Sequence, residues 1–132
     1  MELSRLNSKV TQWHHDRNLI DGATDWTQSE KLLEEFIELI AAQHYEKTPE
    51  QLSAIVVGIV DKLLLNGRIK SVPMKEKESA KIDAIGDMVV VLINIATRNG
   101  ASLETCLGQA YEEIKDRKGR MINGSFVKES DL

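Results

Sequence analysis

The sequence has very little cysteine, proline or aromatic residue. Its 132 residues include one cysteine, two prolines, and two each of phenylalanine, tryptophan and tyrosine. Cys106 is the only cysteine and has no partner for an internal disulfide, which favours a reducing, cytoplasmic setting over secretion. Few prolines and aromatic residues, together with long segments rich in Leu, Ile, Val, Ala, Glu and Lys, favour an all-α fold over a β-sheet.

The sequence also lacks a basic surplus and a membrane-spanning apolar run. The net charge is -4 and the pI is near 5.4, which argues against a basic surface that grips nucleic acid. No signal peptide is evident at the N terminus, and Asp83 and Asp87 interrupt the longest apolar run before it reaches membrane-spanning length. We therefore expect a soluble protein with no nucleic-acid or membrane partner.

Apolar spacing and capping residues predict one domain, spanning residues 1–132, that is a bundle of about five helices. A turn signal at Asn123-Gly124 predicts that the tail is an extended or hairpin-like arm. The fourth helix is apolar around nearly its whole circumference, so we expect oligomerisation to complete the bundle. The predicted helices run from about Leu3 to Arg17, from Asp25 to about Tyr45, from Thr48-Pro49 to Asn66-Gly67, through residues 81–96 to Asn99-Gly100, and from Ser102 to about Lys118-Gly119.

Three polar residues interrupt the apolar fourth helix, "KIDAIGDMVVVLINIA" at residues 81–96. On a helix, Asp83, Asp87 and Asn94 fall within a stripe about 40° wide. Buried carboxylates are costly unless they are paired with cations or bind a metal ion. The stripe therefore predicts a facing metal ion or basic group, and a subunit interface or pairing with the basic loop remains an open alternative.

The second helix carries a comparable acidic face in "KLLEEFIEL". Glu34, Glu35 and Glu38 lie beside an apolar face of the helix. Packed against Asp83 and Asp87, they would form an acidic pocket. Oxygen ligands without Cys or His suit Mg²⁺ or Mn²⁺, which proteins usually hold together with substrate phosphates.

Other phosphate and metal chemistries lack their motifs. No histidine follows a glutamate by three positions, as a di-iron carboxylate bundle requires. No glycine-rich run precedes a helix, which argues against a P-loop or a dinucleotide-binding fold. The two acidic helices are therefore the remaining candidate for phosphate chemistry.

Two segments resemble the signature of MazG-like all-α nucleoside triphosphate pyrophosphohydrolases. "EEFIE" at 34–38 is similar to their Glu-Glu-x-x-Glu motif, and "DAIGDMVVVLINIA" is similar to their second acidic motif. The C-terminal segment resembles short, phage-type members. The second motif departs from the usual Glu-x-x-Asp, because Ala84 occupies the glutamate position and Asp83 precedes it. Residues 49–80 look like an inserted helix and basic loop.

The resemblance implies metal-dependent hydrolysis of (deoxy)nucleoside triphosphates to the monophosphate and pyrophosphate, in control of nucleotide pools. Phage-type members further suggest a purine preference, and the family suggests a homodimer or homotetramer. A glutamate would help to deprotonate the attacking water. The resemblance implies that Glu35, Glu38 and Asp87 are the main Mg²⁺ or Mn²⁺ ligands, with Glu34 as a ligand or general base and Asp83 as an auxiliary ligand. It also implies that Asn94 contacts the nucleobase or sugar and that Trp13 or Trp26 stacks on the nucleobase. The outer phosphates would be bound by Lys31, Lys115, Arg117 and Lys118.

Two other functions fit the same residues. The chain could be a non-catalytic binding or regulatory module whose acidic face docks a basic protein, in which case no metal binding is expected. It could also be a pyrophosphohydrolase acting on a different substrate, such as a phosphoribosyl nucleotide. Lys115, Arg117 and Lys118 also have an ordinary structural interpretation as favourable charges near a helix C terminus.

Overall fold

The computed structural model describes all 132 residues and confirms the all-α class. Five α-helices precede a small β-hairpin, and two short 3₁₀ turns complete the regular structure. The elements are α1 (Leu3–Asp16), α2 (Asp25–Gln43), α3 (Pro49–Leu65), a 3₁₀ turn (Met74–Glu76), α4 (Lys77–Arg98), α5 (Leu103–Ile114), β1 (Gly119–Ile122), β2 (Ser125–Lys128) and a second 3₁₀ turn (Glu129–Asp131). The chain forms two compact units: one comprises residues 1–24 and 76–132, and the other residues 25–75.

The helix boundaries follow local capping chemistry. Thr48 caps α3 through a complete capping box with Gln51, and a proline occupies the first helical position, which needs no amide donor. Gly67 follows the end of α3 with φ of 70°, a left-handed conformation that glycine adopts without strain. The Ser102 hydroxyl accepts a hydrogen bond from the Thr105 amide at the start of α5. These predicted helix boundaries are confirmed.

Helix α5 ends four residues before the predicted Lys118. Its last residue is Ile114, and the side chains of Trp13, on α1, and Arg17, directly after α1, donate hydrogen bonds to carbonyl groups at and beyond this end. Trp13 Nε1 donates to the Ile114 carbonyl at 2.9 Å, while Arg17 Nη2 donates to the Lys115 carbonyl at 2.9 Å. Carbonyls at a helix end need such partners. No local sequence pattern indicates this distant capping, so the boundary prediction was wrong.

The C-terminal arm is an antiparallel hairpin, as the turn signal predicts. Its register pairs Gly119 with Lys128 and Ile122 with Ser125. Asn123 and Gly124 have φ values of 52° and 81°, as the two central residues of a primed hairpin turn require. The Trp13 and Phe126 rings meet edge to face at a centroid distance of 5.7 Å, so the hairpin is held against α1.

The first unit has a small buried core. Helix α1 packs along α5, and α5 also contacts α4. Leu6, Trp13, Leu19 and Ala96 are its buried apolar residues. Ala96 lies near the C-terminal end of α4, so this end is the covered part of that helix.

Most of α4 is exposed within this chain, so its apolar circumference, from which oligomerisation was predicted, is left without cover here. Ile82 is 72% exposed and Val90 65%. The helix has the apolar character of a buried segment, but one chain leaves most of its length uncovered. A contiguous exposed apolar surface of this kind is typical of a helix that packs against a partner.

The second unit is a helical hairpin. Helix α2 packs against α3, with Ile40 as its buried residue. Helix α3 has no fully buried residue; Leu52, Ile55, Val56 and Ile59 are half-buried along it. The predicted insertion at 49–80 therefore contributes α3 to this unit. No helix in either unit combines the length and apolarity needed to cross a membrane.

Gly119 is the position where the hairpin has no room for a side chain. A Cβ there would lie 2.1 Å from the Val127 carbonyl and 2.7 Å from Phe126 Cζ. We expect Gly119→Ala to force the strands apart and lower amide protection in residues 119–128 by about tenfold. Hydrogen exchange measures this loss directly.

Gly58→Ala provides the matched control, because a Cβ at Gly58 meets nothing within 4 Å. In a helix interior that change is expected to be neutral or to stabilise by up to about 1 kcal/mol. Unchanged protection of the hairpin in Gly119→Ala would contradict the close approach described above.

Candidate functional site

Three carboxylates and one lysine share an exposed face of α2. Lys31 Nζ lies 2.9 Å from Glu34 Oε2 and 3.5 Å from Glu35 Oε1. The Glu34 and Glu35 side chains are more than half exposed, at 59% and 54%. We call Glu34, Glu35 and Glu38 the acidic ridge. A single lysine thus faces three acidic groups.

Crowding of negative charge changes the protonation of Glu38. A hydrogen bond with Glu35, reinforced by the repulsion of the Glu35 charge, raises the pKa of Glu38 above its ordinary value of 4.5. The positive charge of Lys31 lowers the pKa of Glu38, but by less than Glu35 raises it. A cation bound beside these carboxylates would relieve their mutual repulsion and compete with the proton of Glu38.

Lys31 is held by the acidic ridge, and its pKa is raised mainly by the hydrogen bond to Glu34. Both of its ion pairs are solvent-exposed, and exposed pairs of this kind contribute little stability. The lysine is therefore a counterion that a stronger cation can displace. Its placement is compatible with the predicted contact to outer phosphates, which would give the ammonium a second acceptor.

Asp83 and Asp87 lie one turn apart on α4, with Asn94 further along the same stripe, and all three are exposed. They belong to the first unit, whereas the acidic ridge belongs to the second. In this chain no three His, Cys, Asp or Glu side chains are grouped so that they could hold one metal ion. The structure brings the ridge together on α2 and the aspartates together on α4.

The predicted phosphate-binding cations occupy two different environments. Lys115 Nζ pairs with Glu112 Oε2 at 2.6 Å, and this contact raises the pKa of Lys115. Arg117 and Lys118 instead line an open cleft of about 710 Å³ together with Lys128. Lys128 was not among the sequence candidates. The hairpin register that places Lys128 opposite Gly119 was the signal that could have found it.

The two tryptophans also differ. Trp26 is 71% exposed and available for stacking on a planar ligand, whereas Trp13 is only 9% exposed. The Trp13 indole is committed to the Ile114 carbonyl and to the Phe126 ring. The structure therefore rejects Trp13 as a base-stacking residue and leaves Trp26 as the candidate.

We compared the chain with known protein families, curated proteins and solved structures. No protein-family model, curated protein or solved structure matches the chain.

Replacing Lys31 tests its role as a counterion. We expect Lys31→Met to increase the affinity of the acidic ridge for Mn²⁺ by about two- to fivefold, because the competing ammonium is gone. Isothermal calorimetry at low ionic strength measures the change. Lys9→Met removes the same charge from an exposed position on α1 and should leave the affinity unchanged; weaker binding by Lys31→Met would contradict the counterion role.

The raised pKa of Glu38 predicts a pH dependence for cation binding. A cation would bind the deprotonated carboxylates, so its affinity should decline as the pH falls through the raised pKa of Glu38, at a higher pH than for an ordinary glutamate. Glu35→Gln removes the repelling charge and should move this decline to lower pH. Titrations with Mn²⁺ between pH 4 and pH 8 measure both curves, and identical midpoints would contradict the coupling.

The same shift has a consequence for folding stability. A folded-state pKa above the unfolded value means that the folded chain binds the Glu38 proton more tightly. The stabilising contribution is therefore present at low pH and is lost as the pH rises through the raised pKa.

Proposed function

We propose that the chain hydrolyses (deoxy)nucleoside triphosphates to the monophosphate and pyrophosphate with the help of Mg²⁺ or Mn²⁺. The observation that carries the proposal is the acidic ridge, in which the pKa of Glu38 is raised by its hydrogen bond with Glu35 and by the Glu35 charge. Three carboxylates crowded within one turn repel one another, and a divalent cation relieves that repulsion. The resemblance of both acidic helices to pyrophosphohydrolase motifs supports the same assignment.

The donor chemistry of the ridge fits Mg²⁺ or Mn²⁺. All three donors are carboxylate oxygens on an exposed helix face, and such hard oxygen ligands suit these ions. Glu34, Glu35 and Glu38 would hold the ion together with Asp87 and, as an auxiliary, Asp83. The bound cation would supply positive charge to neutralise the phosphate oxygens at which negative charge develops.

The side chains of the ridge carry the proton chemistry in this proposal. Glu34 accepts a proton from the attacking water, which adds to the α-phosphorus while pyrophosphate leaves. Lys31 exchanges its carboxylate partners for an oxygen of the outer phosphates. Asn94 contributes both an amide donor and an acceptor, which suits a nucleobase or sugar edge, and Trp26 offers an exposed aromatic face for the base.

The proposal requires the aspartates of α4 to meet an acidic ridge, in the same chain or in a second copy. We propose a homodimer or a dimer of dimers, in which α4 packs against its equivalent. Ile82, Gly86, Val89 and Ile93 follow a 4-3-4 spacing along α4 and so lie within about 60° on one face. A Cβ at Gly86 would meet nothing within 4 Å in this chain, which leaves room for a close helix approach.

Product analysis tests the reaction. Incubation of purified protein with each nucleoside triphosphate and Mg²⁺ should yield the monophosphate and pyrophosphate. Glu38→Gln and Asp87→Asn should each lower kcat/KM by roughly two orders of magnitude or more while the helical circular dichroism is retained. Glu30→Gln, at an exposed position elsewhere on α2, is the matched control and should retain the wild-type rate.

Three outcomes would contradict the assignment. The first is release of orthophosphate with a diphosphate product, and the second is no turnover of any nucleotide, including phosphoribosyl nucleotides. The third is wild-type activity in Glu38→Gln or Asp87→Asn, which would remove those residues from the site.

The proposed assembly has its own test. Ile93→Glu places a charge within the apolar face of α4 and should shift the protein to monomer, because an unpaired charge in an apolar interface is costly. Sedimentation velocity measures the mass. Leu65→Glu is the control, since Leu65 is 86% exposed at the end of α3; a monomeric wild-type protein would contradict the assembly.

A non-catalytic module is the second candidate function, and one observation favours it. The acidic ridge is exposed on one helix, and no three acidic, His or Cys residues of the chain are grouped to hold a metal ion. Such a ridge could dock a basic protein surface through complementary charge. Calorimetry separates the two functions, because the module predicts no heat of binding with Mg²⁺ or Mn²⁺.

A further inference from the structure

The end of α5 is fastened to α1 by three side-chain hydrogen bonds. Arg17 donates from Nε to the Arg117 carbonyl at 3.0 Å and from Nη2 to the Lys115 carbonyl at 2.9 Å. Trp13 donates to the Ile114 carbonyl. One arginine thus binds two carbonyls of the link between α5 and β1, residues 115–118.

The Arg17 guanidinium is itself held in place. Its Cζ lies 4.6 Å from the centroid of the Trp13 ring, an arrangement in which the ring face attracts the cation. Arg17 is half-buried and Trp13 is buried. A planar guanidinium that is stacked on a fixed ring and donates two directed hydrogen bonds restrains the link more than a flexible ammonium would.

The link carries two of the cations that face the C-terminal cleft. Arg117 and Lys118 line that cleft with Lys128 and Ser130, and the Glu129 amide donates to the Lys118 carbonyl at 2.7 Å. Three carboxylates, of Glu113, Asp116 and Glu129, also line it. The three acidic and three basic side chains balance in charge, and Lys128 Nζ also lies 3.9 Å from Asp131 Oδ2, so binding of a polyanion would depend on the three cations pointing into the cleft together.

We propose that Arg17 is a positioning residue for polyphosphate binding, because it fixes the link at residues 115–118 so that Arg117 and Lys118 present their charges together with Lys128. The inference rests on the proposed function for its ligand class, a polyphosphate chain. Arg17 has no direct contact with the ligand in this scheme. It acts through the backbone carbonyls it binds.

The test measures binding of inorganic tripolyphosphate by calorimetry at low ionic strength. Arg17→Met and Arg17→Lys should both weaken binding by about tenfold, since neither side chain can make two directed, charge-assisted hydrogen bonds. Amide exchange at residues 115–118 should accelerate in both. Arg5→Met is the matched control, since it removes a guanidinium from an exposed position on α1, and it should change neither quantity. Should Arg17→Met fail to fold, Arg17→Lys carries the comparison.

A double-mutant cycle separates positioning from general stability. In an Arg117→Met/Lys118→Met background, Arg17→Lys should have no further effect on tripolyphosphate affinity, because the charges it positions are absent. An unchanged affinity in Arg17→Lys, an additive loss in this background, or no binding of tripolyphosphate by the wild-type protein would overturn the inference.

Failure of the Arg17 inference can be distinguished from failure of the proposed reaction. Tripolyphosphate binding that depends on Arg17, in a protein that cleaves no nucleotide, supports the inference and rejects the reaction. Nucleotide cleavage with an Arg17→Lys variant that has wild-type KM and tripolyphosphate affinity rejects the inference and leaves the reaction standing. If both hold, Arg17→Lys should raise KM with little change in kcat.

Discussion

The fold of the first unit depends on the contact of Trp13 and Arg17 with the end of α5. These two side chains donate to carbonyls at and just beyond the end of α5, and Trp13 also packs on Phe126. One buried indole therefore joins α1, α5 and the hairpin. In a unit with so few buried side chains, hydrogen bonds made in a partly desolvated setting count for more than they would in water. The segment after α5 is fixed in position because α1 ends beside it.

Unlike the contacts of Trp13 and Arg17, the acidic ridge is exposed to solvent, and its negative charges outnumber the one lysine beside them. One lysine faces three glutamates, and the hydrogen bond with Glu35 together with the Glu35 charge raises the pKa of Glu38. The exposed ion pairs of Lys31 add little to stability. A surface that served stability alone would disperse these charges along the helix. The proposed function would use this concentration of charge within one turn to bind a cation, whether a metal ion or a basic partner.

Local chemistry explains which parts of this structure could be predicted. The cap of α3 by Thr48, the cap of α5 by Ser102 and the Asn123-Gly124 turn depend on residues next to one another, and all three are confirmed. The end of α5 depends on Trp13 and Arg17, about a hundred positions away, and no local pattern reveals such a contact. The apolar circumference of α4 predicts that the helix is covered, but hydropathy does not identify the chain or element that covers it. For the same reason, the sequence places Glu38 and Asp87 on acidic faces and does not determine whether they meet.

The exposed apolar length of α4 and the proposed chemistry are linked, because the aspartates of the proposed site lie on this helix. Asp83, Asp87 and Asn94 lie on the helix that most needs cover, so whatever covers α4 also lowers the dielectric around its aspartates. A lower dielectric makes two isolated carboxylates more costly and a bound cation more favourable. Assembly and metal binding would therefore strengthen each other. In that arrangement the aspartates gain their affinity from burial, and the solvent-exposed ridge contributes the groups that exchange protons.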